Sequence, residues 1–250
     1  MKTSSSQSCY IYAHKGVIKE AADNTRSAFD KALMYSIDGI ETDVQLSKDK
    51  VSVLYHNRVM DQLGYRDKHI CDFNYDELKQ LNFAAYFKGA KAEKVITLKE
   101  FIKDYRSQAR LQIEIKHRDW EDTQSYQIKI QQCLNLIGSS ENLDIIISSF
   151  NLDCLQYAHH LGTEIPLVYT FRETDSISLL KETIVKEYFI SAICLPVSML
   201  DKSLVCFLRD QNKLILAYTC NSQKEIQKAL DLKIDILITD DPSKALQMRG

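Results

Sequence analysis

Glycine and proline are scarce in this chain, seven and three in 250 residues. No linker, internal repeat or low-complexity tract interrupts it. No run of about 18 apolar residues occurs, so no membrane-spanning helix is expected. The stretch from Met1 to Cys9 is short and polar and lacks the apolar centre of a secretory signal. No basic block stands out among 32 basic and 34 acidic residues, which argues against a nucleic-acid partner. Paired or metal-binding cysteine motifs are also missing. Cys9, Cys71, Cys133, Cys154, Cys194, Cys206 and Cys220 are scattered, odd in number and free of CxxC spacing. Reduced thiols in a cytoplasmic setting fit this better than a disulfide framework or a zinc site.

What remains is an ordinary globular composition, 45% apolar and 26% charged, in a length that suits one large domain. Short apolar runs alternate with helical patterns almost throughout. Strands are expected at Tyr10–Ala13, 39–46, 51–56, Leu111–Lys116, Asp144–Ser148, Ile165–Tyr169, Ala192–Leu195, Leu214–Tyr218 and Ile234–Thr239. Helices are expected after Asn24 or Thr25, which can cap, and over Thr97–Arg106, Asn151–Leu161, Ser176–Tyr188, Asp201–Gln211 and Ser222–Leu230, with a last one from Ser243. Regular β-α alternation implies a parallel sheet, and 250 residues fit a (β/α)₈ barrel. Nine strands are one too many for it. Only four residues separate Leu46 from Val51, too few for a parallel crossover. Strands 39–46 and 51–56 are therefore expected as an antiparallel hairpin at the mouth of an irregular α/β TIM barrel. Residues 57–95 are expected as a small insertion over that mouth, within a single domain spanning 1–250.

The strand Gly39-Ile40-Glu41-Thr42-Asp43-Val44 carries the first chemical signal. Period-two alternation puts Glu41 and Asp43 on one face. Two carboxylates side by side repel, and burying them unpaired is costly; a divalent cation resolves both problems. The alternative is that this face is simply wet. Hairpin pairing brings His56 opposite the carboxylate pair. The ends of the other strands add His14, Glu114 and Lys116 at the same mouth, where such barrels place their sites. Three hard oxygen ligands suit Mg²⁺ or Ca²⁺ rather than zinc. Two histidines can work as general base and general acid. Lys15 and Lys116 can balance an anionic substrate. The set suits displacement at a phosphate.

The ordered motifs resemble the glycerophosphodiester phosphodiesterase family, irregular TIM barrels related in fold to the phosphatidylinositol-specific phospholipases C. They are His14-Lys15-Gly16, Asp23-Asn24-Thr25, Asp38-Gly39-Ile40-Glu41-Thr42-Asp43-Val44, His56-Asn57, Glu114-Ile115-Lys116, Ser149-Phe150, Tyr218-Thr219-Cys220-Asn221 and Thr239-Asp240-Asp241-Pro242. The resemblance implies that Glu41, Asp43 and Glu114 bind a divalent metal and that His14 and His56 are the catalytic pair. It implies that Lys15 and Lys116 hold phosphate and that Tyr218 forms an aromatic wall. The implied substrate is a small-molecule phosphodiester, cleaved to glycerol 3-phosphate and an alcohol. The neighbouring glycerol hydroxyl can act as nucleophile, through a cyclic phosphate.

Departures from the family pattern are Lys15 for Arg, Asp23 for Glu, Asn57 for Asp and Tyr218 for Trp. None alters the implied ligands or histidines. Two alternatives stay open on the residues alone. One is the same chemistry on a lysophospholipid, using Phe73, Leu81, Phe83, Tyr86 and Phe87 as an apolar rim. The other is a non-catalytic binding module that keeps the fold. The headgroup, the choice of metal and the oligomeric state are not legible.

Overall fold

The computed structural model describes residues 9–142 and 144–250, so the stretch read above as lacking a leader lies, except for Cys9, outside the described residues. Nine strands form one sheet: β1 Tyr10–His14, β2 Gly39–Leu46, β3 Ser52–Leu54, β4 Arg110–Ile115, β5 Ile145–Ser149, β6 Leu167–Thr170, β7 Ile190–Pro196, β8 Leu214–Tyr218 and β9 Ile236–Thr239. Their order is β1-β9-β8-β7-β6-β5-β4-β2-β3, and β1 also pairs with β2. That last pairing closes eight parallel strands into a barrel, with His14 beside Glu41. β3 runs antiparallel to the far end of β2, with Leu54 opposite Val44.

Alternation along each strand sorts side chains between two cores. Tyr12, Ile146, Val168, Ala192, Leu216 and Ile236 point inward and fill the barrel. Their neighbours point outward against the helices, in one continuous apolar layer. The helices are α1 Arg26–Met34, α2 Tyr75–Leu78, α3 Leu98–Tyr105, α4 Thr123–Ile137, α5 Leu152–His160, α6 Ile177–Lys186, α7 Lys202–Asp210, α8 Gln223–Asp231 and α9 Pro242–Arg249. Most begin at a side-chain cap: Thr25, Thr97, Asp122, Asn151, Ser176, Asp201, Ser222 and Asp241 each accept from a backbone N–H in the first turn.

Two findings go beyond the sequence reading. β2 is buried along its whole length, so the face that carries Glu41 and Asp43 is not wet. The second is α4, a 15-residue helix that the apolar periodicity did not reveal. Its buried face is Lys129, Ile130, Cys133 and Ile137, so a lysine stands where the pattern calls for a hydrophobe.

Two motif glycines serve the fold. A Cβ on Gly39 would lie 2.5 Å from the Tyr12 ring that crosses the barrel. Gly16 has φ +85, and a Cβ on it would lie 2.6 Å from the carbonyl carbon of Ala28. Between β3 and α3, Val53, Tyr55, Met60, Leu63, Ile70, Leu78, Phe83 and Val95 form a small core of their own. Tyr86 ties this region back to the first loop, donating its hydroxyl to Asp23 and accepting from the Asp23 N–H at 2.9 Å.

Candidate active site

Neighbouring strands of the barrel bring Glu41 and Asp43 on β2 beside Glu114 on β4, with Asp43 in register with Glu114. All three side chains are buried, and one oxygen from each lies within 4.8 Å of the others. Asp43 is oriented from α1's side: Asn24 Nδ2 donates to Asp43 Oδ2 at 2.9 Å, while Asn24 Oδ1 accepts from Thr42 Oγ1 at 2.7 Å. Lys116 Nζ lies 2.7 Å from Asp43 Oδ1 and 2.5 Å from Glu114 Oε1. Glu41 Oε2 is buried with no hydrogen-bond partner; its nearest cation-forming neighbour is His14 Nε2 at 3.9 Å.

The electrostatics follow from this crowding. Burial, then the charges of Asp43 and Glu114, push the Glu41 carboxyl well above its ordinary range. Burial pushes Asp43 the same way, but Lys116 and His56 outweigh it and hold Asp43 well below. Burial disfavours the charged Lys116, yet Asp43 and Glu114 more than offset that and keep it protonated. Lys116 thus pairs with Asp43 and Glu114, and the least-served oxygen belongs to Glu41. An orphaned buried carboxylate beside two others, all hard oxygen donors, fits a Mg²⁺ or Ca²⁺ ion.

His14 and His56 face each other across this group, ring centroids 6.2 Å apart and near perpendicular. His14 Nδ1 hydrogen-bonds Asp240 Oδ1 at 2.6 Å. Asp240 is itself held by Asn221, whose Nδ2 donates to Oδ2 at 2.6 Å and whose Oδ1 accepts from the Asp240 N–H at 2.9 Å. Burial raises the Asp240 carboxyl, but the His14 and Asn221 hydrogen bonds leave it below its ordinary range. His56 Nδ1 instead pairs with the neutral amide oxygen of Asn57 at 3.0 Å. Burial lowers the His56 imidazole below its ordinary value, with Lys116 and Lys15 adding to this and Asp43 opposing it.

These groups open into one cavity of about 190 Å³, lined among others by His14, Glu41, His56, Glu114, Lys116 and Tyr218. Phe150 and Tyr218 form an edge-to-face wall, ring centroids 5.9 Å apart, and the Tyr218 hydroxyl donates to Phe171 O at 2.7 Å. Lys15 is the one expected site residue that neither ligates with the acidic group nor lines the cavity. It is buried at φ 58 with its Nζ 3.6 Å from Asp23. The shorter Asp23 thus still meets Lys15.

Sequence reasoning missed Asn24 as the residue that orients Asp43, and Asp240 and Asn221 as the support of His14. All these residues lie inside the quoted motifs, so the positions were visible; Asp240 meets His14 only through the pairing of β1 with β9.

A model of the glycerophosphoryl diester phosphodiesterase family matches residues 14–244. This chain is an enzyme of that family. A glycerophosphodiester phosphodiesterase of Bacillus altitudinis is 27% identical over 243 residues, covering 96% of this chain and 97% of its own length. Among solved structures, the Thermotoga maritima glycerophosphodiester phosphodiesterase is similar with a TM-score of 0.76 and 26% identity, covering 96% of this chain and 98% of that one. A phosphodiesterase of Oleispira antarctica, solved with the product sn-glycerol-3-phosphate, has the same fold at a TM-score of 0.84 and 23% identity, covering 96% of each chain.

Proposed function

We propose that this chain hydrolyses small glycerophosphodiesters to glycerol 3-phosphate and an alcohol. Glu41, Asp43 and Glu114 would hold a divalent cation, Mg²⁺ or Ca²⁺, and His14 and His56 are the acid–base pair. The observation that carries this reading is a cluster of three buried carboxylates, two of which line one small cavity together with two facing histidines. When bound, the cation supplies charge stabilisation to the phosphoryl oxygens.

The remaining work falls to side chains. Asn57 Oδ1 accepts from the His56 Nδ1–H, which leaves Nε2 with a lone pair, the form that takes a proton from the attacking oxygen. His14 is backed by the Asp240 carboxylate, which stabilises the imidazolium needed to protonate the departing alkoxide. Lys116 offers its ammonium to a phosphoryl oxygen from the floor of the same cavity. Lys15 supports the site through long-range charge on Glu41 and His56 rather than by direct grip. Tyr218 and Phe150 wall the cavity.

The dimensions favour a small substrate. Pockets for drug-sized ligands run to roughly 300–1,000 Å³, above the cavity seen here. Most of the apolar residues that could form a lipid rim are used in packing: Phe83 is buried in the small core, and Phe73 and Leu81 pack against it. We read residues 57–95 as an insertion over the mouth of a single domain. Seven free cysteines support a reducing, cytoplasmic setting. No described helix is long and apolar enough to cross a membrane.

The test is a substrate panel: glycerophosphocholine, glycerophosphoethanolamine, glycerophosphoinositol and a lysophospholipid, each with Mg²⁺, Ca²⁺ or EDTA. Metal-dependent release of glycerol 3-phosphate that disappears in His14→Ala supports the reading. Release from the lysophospholipid alone would replace the substrate class, and release that persists in His14→Ala would remove the acid–base assignment.

A further inference from the structure

His56 does not sit on the barrel. β3 ends at Leu54, and the last ladder-like bond toward His56 runs from the Tyr55 N–H to Asp43 O at 3.1 Å. Beyond that bond, two side chains hold three consecutive carbonyls. Gln45 Nε2 donates to Tyr55 O at 2.7 Å and to Asn57 O at 3.0 Å. Arg118 Nη2 donates to the carbonyl of His56 itself at 2.6 Å, and its Nε reaches Gln45 Oε1 at 3.4 Å.

Arg118 comes from the loop after β4, and that loop is anchored in turn. The Arg118 N–H donates to Glu121 Oε2 at 3.0 Å, and the Glu121 N–H returns a bond to Arg118 O at 3.0 Å. Lys129 of α4 donates to both Glu121 oxygens, at 2.7 and 3.0 Å, and also to Lys116 O. Lys129 is fully buried. Burying an ion pair is seldom more stabilising than burying a hydrophobe of the same volume, so its use is more readily one of fixing geometry. Here it fixes the loop that carries both Lys116 and Arg118.

We propose that Arg118 is a positioning residue for His56, and that Glu121 and Lys129 act through it. This rests on the reading that His56 is one of the acid–base pair. None of the three lines the cavity; Arg118 bonds the His56 carbonyl and so acts on the placement of His56, while Lys129 also holds the Lys116 carbonyl. A displacement of about 1 Å in a reacting group costs on the order of 10²-fold in rate.

The experiment measures kcat and KM of the metal-loaded enzyme on glycerophosphoethanolamine. The variants are Arg118→Met, Arg118→Lys, Lys129→Met and the double variant Arg118→Met with Lys129→Met. His56→Ala is the reference, and circular dichroism checks folding. Arg118→Met is expected to lower kcat by roughly 10- to 100-fold with KM within about threefold. Arg118→Lys restores a donor to the His56 carbonyl and recovers a large part of the loss. Lys129→Met keeps the length of the side chain and lowers kcat too, and the double variant is no worse than the worse single one. Folded Arg118→Met with wild-type kcat, or losses that multiply in the double variant, would overturn the proposal. Wild-type turnover in His56→Ala would overturn both it and the acid–base reading. Loss in Arg118→Met with His56→Ala lower still leaves the reading intact and supports the positioning role.

Discussion

Asp240→Asn is a nearly isosteric change that tests whether His14 works as a charged acid. Asp240 accepts two hydrogen bonds, from His14 at Oδ1 and from Asn221 Nδ2 at Oδ2. An asparagine can accept at only one of these sites and must present its NH₂ to the other donor. If it keeps the bond to Asn221, it faces the His14 Nδ1–H with a donor and drives His14 toward the wrong tautomer. If it keeps His14, Asn221 loses its partner. In either case the imidazolium loses its carboxylate. A hydrogen bond to a charged group is worth roughly 1.5–3 kcal/mol. Both side chains are only about a fifth exposed, so solvent screens little of this. The arithmetic gives a fall in kcat of about 10- to 150-fold. The assay is release of glycerol 3-phosphate from glycerophosphoethanolamine with metal present, with thermal melting as a check on folding. A folded Asp240→Asn variant within about twofold of wild-type kcat would refute the reasoning.

The pH profile of kcat/KM should place its acid limb below about 6.5, the ordinary histidine value, because the buried His56 must be neutral to take a proton and its imidazole is pushed down. A limb at or above that value would contradict the assignment. Glu41 holds its proton to higher pH than an ordinary carboxyl, and a metal binds the deprotonated form. Metal binding should therefore release protons and tighten as pH rises; calorimetric titration with Mg²⁺ in buffers of different ionisation enthalpy reads this as a buffer-dependent heat, and a buffer-independent heat would count against it. Gly16→Ala should destabilise by about 3 kcal/mol, since alanine resists positive φ and its Cβ overlaps the Ala28 backbone. Thermal melting should fall by roughly 6–12 °C for a chain of this size, and an unchanged melt would show that the loop can rearrange.

Much of this fold was written in local pattern. Alternation along Leu111–Lys116 and the short apolar runs of the later strands marked the barrel, because a strand in a closed parallel sheet has few other ways to bury its side chains. Glu41, Asp43 and Glu114 were legible for the opposite reason: carboxylates on an apolar strand demand an explanation. α4 was not legible, since Lys129 occupies its buried face and the compensating Glu121 lies outside the helix. The support of His14 was hidden because Asp240 is 226 residues away and meets it only when β9 pairs with β1. Arg118 carried no periodic signal at all. It sits in a loop, and its partner is a backbone carbonyl, which every residue has.

The central claim is that hydrolysis depends on a cation held by the three buried carboxylates. The most direct measurement strips the protein with EDTA, removes the chelator, and follows turnover while Mg²⁺ or Ca²⁺ is titrated back, in the wild type and in Asp43→Asn. The account predicts no turnover in the stripped protein, recovery that saturates at one ion per chain, and no recovery in Asp43→Asn at the same concentrations. Full turnover in the stripped protein, or equal recovery in Asp43→Asn, would contradict it.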